Sequence, residues 1–543
     1  MNHFIKYLII IIIITSCQVT LHAQKKVPGS DMITSVDLES YVSFLASPLL
    51  KGRKNNSPGL DIAQQFIISQ AKIMRLKPAN GTSYMQPFSM MNYMIDNEKS
   101  MIQVIPDKGD TVTIQKPIYQ VIPTGPSDFT IEGDIVFAGY GIKLGMYGYD
   151  DFADINPEGK ILLVMLGSPP AKDGKGYLIE DYNPSSFMSI QLKLTGLMFS
   201  KAKAVIIVPD PKSGYSSLEE KFSGIAGELN SARSLKGEKR PVLQLPNMPK
   251  ILIVHSQVAD EILKGSGYTL ESLQNIIDSK IKPNSFTIKD KKLKITETVK
   301  TEEITLNNIA AYIEGSDPVL KNEYVVFSAH VDHIGESARG INVGADDNAS
   351  GCAALLSIAK AFSSLEKKPL RSLLFLWVSG EEIGLCGSKY YSNNPLVPLE
   401  NTVVNLNADM IGRVKGKADT SDQNPMSGPN EVFVISDNQS KELMAIAESV
   451  DAGTVLDFNY DLSGTDHPLQ LFSRSDHYNF VVKDIPILFF LTGLHTDYHT
   501  PKDVIEKIDF NKMELIARSM YEIGYNVANQ KNRIVVDNPF SSW

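Results

Sequence analysis

A chain of 543 residues with an apolar fraction of 43% is long enough for two or three domains with real cores. Its formal charge of -9 comes without a block of lysine and arginine, which argues against a nucleic-acid partner. Three cysteines are too few for a disulfide scaffold.

At the N-terminus, Lys6 precedes the unbroken apolar run Leu8 to Ile14, which is too short to span a bilayer. Residues 1–23 therefore read as an export leader. Ile14-Thr15-Ser16-Cys17 resembles a lipobox, which would leave Cys17 lipidated and the chain tethered to a membrane. Leu21-His22-Ala23 resembles an ordinary cleavage site. Either processing route predicts a chain outside the cytoplasm, as a periplasmic, membrane-anchored or secreted protein. No later run is long and apolar enough to be transmembrane.

After a tether over 25–35, Leu38 to Leu50 and Leu60 to Leu76 show helical periodicity, broken by the Gly/Pro/Asn-rich stretch Gly52 to Gly59. Tyr84 to Lys116 reads as extended. From Pro117 to Ile288 the pattern predicts strands at Asp134 to Ala138, Lys160 to Leu166, Ala204 to Val208 and Ile251 to Val254, with helices at Phe187 to Lys203 and Val258 to Lys264. This block reads as an inserted domain. From Thr305 onward the pattern is α/β, with strands at Tyr324 to Ala329, Leu373 to Val378, Val403 to Leu406, Glu431 to Ile435 and Ile485 to Phe490. Helices are predicted at Cys352 to Phe362, Lys441 to Val450 and Lys512 to Asn529. Continuous apolar strands of this kind suit a sheet covered on both faces.

His330, Asp347, Glu382, Asp409 and His499 each fall just past such a strand or in the loop before the next helix. Ligand crevices of open α/β sheets form at those strand ends, so these distant residues can converge. Imidazole and carboxylate together suit zinc, with manganese or cobalt as substitutes. Two metals held close need a carboxylate between them, and Asp347 is the natural bridge. Glu381 can reach the site without taking a metal and carry a proton as general base. Asp332 is placed to orient the His330 imidazole.

The series His330-Val331-Asp332, Gly344-Ala345-Asp346-Asp347-Asn348-Ala349-Ser350-Gly351, Gly380-Glu381-Glu382-Ile383-Gly384-Leu385, Asn407-Ala408-Asp409-Met410 and Asp497-Tyr498-His499-Thr500 resembles metallopeptidase family 28, the co-catalytic zinc aminopeptidases and their relatives. The resemblance implies a mixed-sheet, three-layer α/β zinc-peptidase domain. It implies that Asp347, Glu382 and His499 hold one zinc and that Asp347, His330 and Asp409 hold the other, with a cis peptide after Asp347. The block 117–288 resembles the smaller α+β protease-associated domain often inserted in this family, through Asp134 to Gly141, Gly159 to Leu166 and Ala202 to Val208. Expected boundaries are then 1–23 for the leader, 31–116 for the N-terminal part of the peptidase domain, 117–288 for the insert and 300–530 for the catalytic domain.

Neighbouring groups have plainer readings. Asp346 reads as a loop or helix-start carboxylate, and His333 as a residue of the pocket wall. Asp476 and His477 read as partners of the active-site loops. His495 competes with His499 for the last ligand position, and the Tyr498-His499-Thr500-Pro501 match favours His499. Tyr498 is either an oxyanion donor or a structural tyrosine. Cys352 and Cys386 read as small buried residues at helix starts, with one bridge between them as the alternative.

The leading expectation is an exported dizinc exopeptidase, an aminopeptidase acting on peptides. Alternatives within the family are a carboxypeptidase of acidic dipeptides, for which Arg339, Arg413 and Arg474 lie in suitable loops, and a single-zinc glutaminyl cyclase. A non-catalytic receptor-like ectodomain is the alternative of a different class.

Overall fold

A computed structural model describes residues 27–542 except 116–118, 122–126, 145–147, 172–177, 179–192, 195, 218–230, 239–247, 338–339, 418 and 420–424. The leader with Cys17, residues 187–192 and 195 of the helix expected over Phe187 to Lys203, and Arg339 lie outside the described residues.

A ten-stranded mixed sheet forms the larger unit. Across it run Ser231–Leu235, Met85–Ile95, Val299–Ile313, Ser372–Val378, Tyr324–His330, Thr402–Ala408, Ile487–Leu491, Glu431–Ser436 and Asp457–Asn459, with Lys77–Pro78 beside Val299–Ile313. The central strands Ser372–Val378, Tyr324–His330, Thr402–Ala408 and Ile487–Leu491 are mutually parallel, and antiparallel strands flank them. Their side chains alternate between two cores, as a pleated strand requires. Val325, Phe327, Leu373, Phe375 and Trp377 pack one face, and Val326, Leu374, Leu376 and Val378 the other. Against the first face lie the helices Ser35–Leu45, Pro58–Ile73, Gly351–Ser363 and Phe510–Asn529. The expected mixed-sheet α/β architecture is therefore present.

Eight strands form a second sheet, in the order Val112–Gln115, Met101–Pro106, Phe286–Glu297, Phe129–Phe137, Ile161–Met165, Ala204–Val208, Lys250–Val254 and Tyr119–Val121. Its membership differs from the block 117–288. Met101–Pro106, Val112–Gln115 and most of Phe286–Glu297 lie outside that block yet pair into this sheet. Conversely, Ser231–Leu235 falls inside the block but pairs with Met85–Ile95 of the larger sheet. Pairing across nearly 200 positions leaves no mark on local composition, so sheet membership is not read from the pattern change near residue 117.

The two N-terminal helices begin where capping chemistry allows. Thr34 accepts the Asp37 N–H, and Ser57 accepts the Leu60 N–H ahead of Pro58. Between them, Gly52 has φ +70°, and a Cβ there would lie 2.1 Å from the Asn342 carbonyl. That close approach pushes Arg53 into the interior of the larger unit. Cys352 and Cys386 are buried, free thiols. Among the described residues no helix is long and apolar enough to cross a membrane.

Candidate metal centre

All five expected ligands meet at the C-terminal rim of the parallel strands. His330 ends Tyr324–His330, and Asp409 follows Thr402–Ala408 directly. Glu381 and Glu382 lie beyond Ser372–Val378, and His499 lies in the turns after Ile487–Leu491. Asp347 sits in the tight turn Ala345–Ser350, and the Asp347–Asn348 peptide is cis. Gly344 makes that turn possible. Its φ is +60°, and a Cβ would lie 2.1 Å from the Asp347 carbonyl and against the His333 ring.

Asp347 divides its two oxygens between two groups. Oδ1 lies 3.3 Å from His330 Nε2, which is 3.2 Å from Asp409 Oδ1. Oδ2 lies 3.2 Å from His499 Nε2, which is 3.0 Å from Glu382 Oε2. Two atoms bound ~2.0–2.1 Å from one tetrahedral zinc are themselves ~3.3 Å apart. The spacings therefore fit shared ligation. Asp347 Oδ2 and His499 Nε2 are also buried without a hydrogen-bond partner, which leaves both open to a cation. This donor set fits zinc.

His333 is more than pocket wall. Its Nδ1 lies 2.6 Å from Glu382 Oε1 and 3.5 Å from Asp347 Oδ2. The shorter distance is that of a charge-assisted hydrogen bond rather than of two co-ligands. His333 thus donates to one oxygen of Glu382 and leaves the other facing His499. Ser475 does the same for Asp409, donating to Oδ2 at 2.7 Å while Oδ1 faces His330.

Asp332 supports His330 in a different way from the one expected. The His330 Nδ1–H meets the Asp332 backbone carbonyl at 3.1 Å, while the carboxylate is 4.0 Å away. The chain turns so sharply after the strand that the carbonyl, not the side chain, lies at hydrogen-bonding distance from the ring nitrogen. The carboxylate instead accepts the Asn55 amide at 2.6 Å and the Glu381 N–H at 3.3 Å. It therefore positions Glu381.

Glu381 Oε2 lies 4.0 Å from His330 Nε2. Burial first, then the charges of Asp409, Glu382 and Asp476, raise its carboxyl well above the usual range. A nearby cation opposes that rise. Tyr498 stacks on His499 with ring centroids 3.8 Å apart, and burial raises its phenol so that it stays protonated. Tyr498 lines a cavity with His330, Asp347, Glu381 and Asp409, whose apolar side is Met410, Leu471, Phe489, Leu491 and Leu494. Arg474 also lines it, whereas Arg413 is paired with Asp497 at 2.7 Å.

The remaining neighbours sit one step back. Asp346 accepts the Gly412 N–H at 2.6 Å, and His495 lies 3.4 Å from its other oxygen, not in the ligand cluster. Asp503 accepts the N–H groups of Asp346 and Asp347. His477 hydrogen-bonds the Phe472 carbonyl and stacks on Phe489. Burial pushes the Asp476 carboxyl up to about 7.

Arg53 was invisible in the sequence. Its guanidinium is buried and donates to the carbonyls of Leu45, Val331, Val343 and Gly344 at 2.6–3.1 Å. It ties the N-terminal segment to both loops that present His330 and Asp347. The only sequence signal was Gly52-Arg53 in a turn-rich stretch, which says nothing about burial.

A mixed sheet whose parallel strand ends converge His, Asp and Glu on one shared carboxylate is an arrangement able to hold metal. Residues 308–523 match the model of peptidase family M28. Over 219 residues it is 30% identical to leucine aminopeptidase 1 of Trichophyton equinum, which covers 38% of this chain and 54% of that protein. Over 118 residues it is 40% identical to leupeptin-inactivating enzyme 1 of Streptomyces exfoliatus, which covers 21% of this chain and 25% of that protein. The chain thus matches about half or less of the length of these relatives. The fold is shared much further. The aminopeptidase from Aneurinibacillus sp. strain AM-1 superposes with a TM-score of 0.54 at 18% identity, covering 94% of this chain and 97% of its own. The zinc aminopeptidase BSAP from Bacillus subtilis gives 0.51 at 18% identity, covering 93% and 98%.

Proposed function

We propose that this protein is an exported aminopeptidase that holds two zinc ions and removes N-terminal residues from peptides. The observation that carries this reading is the division of Asp347 between two ligand groups, with His330 and Asp409 on one oxygen and His499 and Glu382 on the other. Zinc bound there supplies a Lewis acid that polarises the scissile carbonyl and acidifies water. Glu381 takes the proton from the attacking water and passes it to the leaving amine. The Asp332 carboxylate, anchored by Asn55, fixes the backbone of Glu381 for that transfer. Tyr498 donates its phenol hydrogen to the developing oxyanion.

The apolar wall of Met410, Leu471, Phe489, Leu491 and Leu494 suits an apolar N-terminal side chain, in keeping with the leucine aminopeptidases among the relatives. Manganese or cobalt would substitute for zinc. The second sheet is read as a protease-associated insert, and Cys17 as the point of lipid tethering if the lipobox is used.

A substrate panel tests the assignment. Leucyl-p-nitroanilide, acidic dipeptides and an N-terminal glutaminyl peptide are each offered to protein whose zinc content has been measured. Leucyl hydrolysis with two zincs per chain is the expected result. Cyclisation of the glutaminyl peptide alone, or release of a C-terminal acidic residue alone, would replace the assignment, and an inactive, zinc-free protein would leave the receptor-like reading.

A further inference from the structure

The chain of the second sheet makes an excursion into the larger unit, and it lands against the loop that carries Glu381. Ala204–Val208 and Lys250–Val254 are paired neighbours in the second sheet. The chain between them nevertheless lends Ser231–Leu235 to the larger sheet, as an edge strand on Met85–Ile95. Two parallel neighbours can be joined by a crossover on their own sheet, so the second sheet does not need this excursion.

Register shows what the extra strand supports. Val299–Ile313 pairs with Ser372–Val378 only through Ile309 to Ile313, and with Met85–Ile95 along the rest of its length. Those two strands therefore run on beyond the end of Ser372–Val378. Leu235, Met90 and Ile304 are in register on three adjacent strands and share one face, with Phe88 and Leu306 two residues further along. Ile383, Cys386 and Tyr390 pack onto that apolar face, and Tyr390 stacks on Phe88 with ring centroids 5.2 Å apart. Leu235 is buried there.

The loop above this face is closed on itself. The Glu381 carbonyl accepts the N–H groups of Gly384 and Leu385, and the Gly380 carbonyl accepts that of Cys386, at 2.8–2.9 Å. A Cβ on Gly380 would lie 3.2 Å from that of Cys386 and 3.4 Å from Leu306. A shift of Cys386 is therefore passed to Gly380 and Glu381. Two ion pairs pin the excursion in place. Lys236 meets both oxygens of Glu303 at 2.8–2.9 Å, and Glu238 pairs with Lys389 in the helix Cys386–Asn393 that follows the loop.

Resting on the reading of Glu381 as proton carrier, we propose that Leu235 and Glu238 are positioning residues for Glu381. Ser231–Leu235 is then a brace through which the second unit holds the catalytic loop. Asp332 fixes the Glu381 N–H, and the brace fixes the loop on which that residue stands. It gives the second unit, which supplies none of the proposed metal ligands, a part in turnover.

Leu235→Ala is expected to lower kcat on leucyl-p-nitroanilide by roughly 10–100-fold, while KM and zinc content stay at the native level. Leu235→Met, which refills the apolar face, is expected to recover most of that loss. An unchanged kcat, a fall that tracks lost zinc, or a methionine variant as poor as the alanine one overturns the proposal. If Leu235→Ala does not fold, the ion pair decides. Lower kcat in Glu238→Lys and recovery when Lys389→Glu is added support the brace, and any other pattern overturns it. Hydrogen exchange separates the brace from the reading beneath it. If the native chain cleaves no peptide substrate, the aminopeptidase reading fails. The brace then stands if Leu235→Ala, or Glu238→Lys in its place, speeds exchange in residues 380–386 and leaves Tyr324–His330 unchanged. It falls if exchange in that loop is equal.

Discussion

The two sheets place polar residues at the same topological position and treat them in opposite ways. In the second sheet, loops beyond the parallel strands Phe129–Phe137, Ile161–Met165 and Ala204–Val208 bury Tyr140, Asp151, Asp210 and Lys193. There the groups satisfy one another. Lys193 donates to the carbonyls of Met165, Leu166 and Gly167 at 2.5–2.7 Å. Asp151 accepts the N–H groups of Tyr140 and Ile142 and the Tyr149 hydroxyl. Gln274 bridges Tyr140 and Asp210. At the metal centre, Asp347 Oδ2 and His499 Nε2 are left unsatisfied. Buried polarity at strand ends is thus common to both units, and unmet ligand atoms are what set one apart as a site for a cation.

Removing metal should separate the units most sharply. Chelation is expected to abolish hydrolysis and added zinc to restore it, read by leucyl-anilide turnover. A metal-free preparation with full activity would erase the distinction between the two strand-end clusters. Next in size, Glu381→Gln is expected to lower kcat by roughly 10²–10⁴-fold while two zincs remain by elemental analysis. Full turnover by that variant would remove Glu381 as the proton carrier.

His333→Ala should then weaken metal binding by about 10–100-fold, the usual effect of losing a hydrogen bond behind a ligand. Competition with a chelator measures it, and unchanged affinity would reduce His333 to packing. The smallest effect on the metal centre belongs to a change in the other unit. Lys193→Met removes a buried donor shared by three carbonyls and is expected to cost ~3 kcal/mol or more of unfolding free energy. Zinc content is expected to be unaffected. Loss of zinc in that variant would show that the two clusters are coupled.

Much of the centre was legible because its signals are local. His330 follows an apolar strand, Asp347 lies between glycines at a helix start, and Glu381-Glu382 follows another apolar strand. Each motif therefore predicts both an element and its rim. His333 belongs to the same stretch, but its hydrogen bond to Glu382 has no local signal. Whether a residue after a strand turns inward depends on contacts such as the His333 N–H with the Arg53 carbonyl, 280 positions away.

By itself the sequence determined the α/β character of the larger unit and marked the residues proposed to hold metal and to carry the proton, since apolar periodicity and paired carboxylates are written within a few residues. Only the tertiary structure decided how Asp347 shares its oxygens, that the Asp332 carbonyl rather than its carboxylate meets His330, and that Arg53 and Asn55 complete the centre. It also decided which strands form the second sheet. Those outcomes depend on strand register and on buried hydrogen bonds between distant segments, and the free energy of such contacts is set by packing rather than by neighbours in the chain.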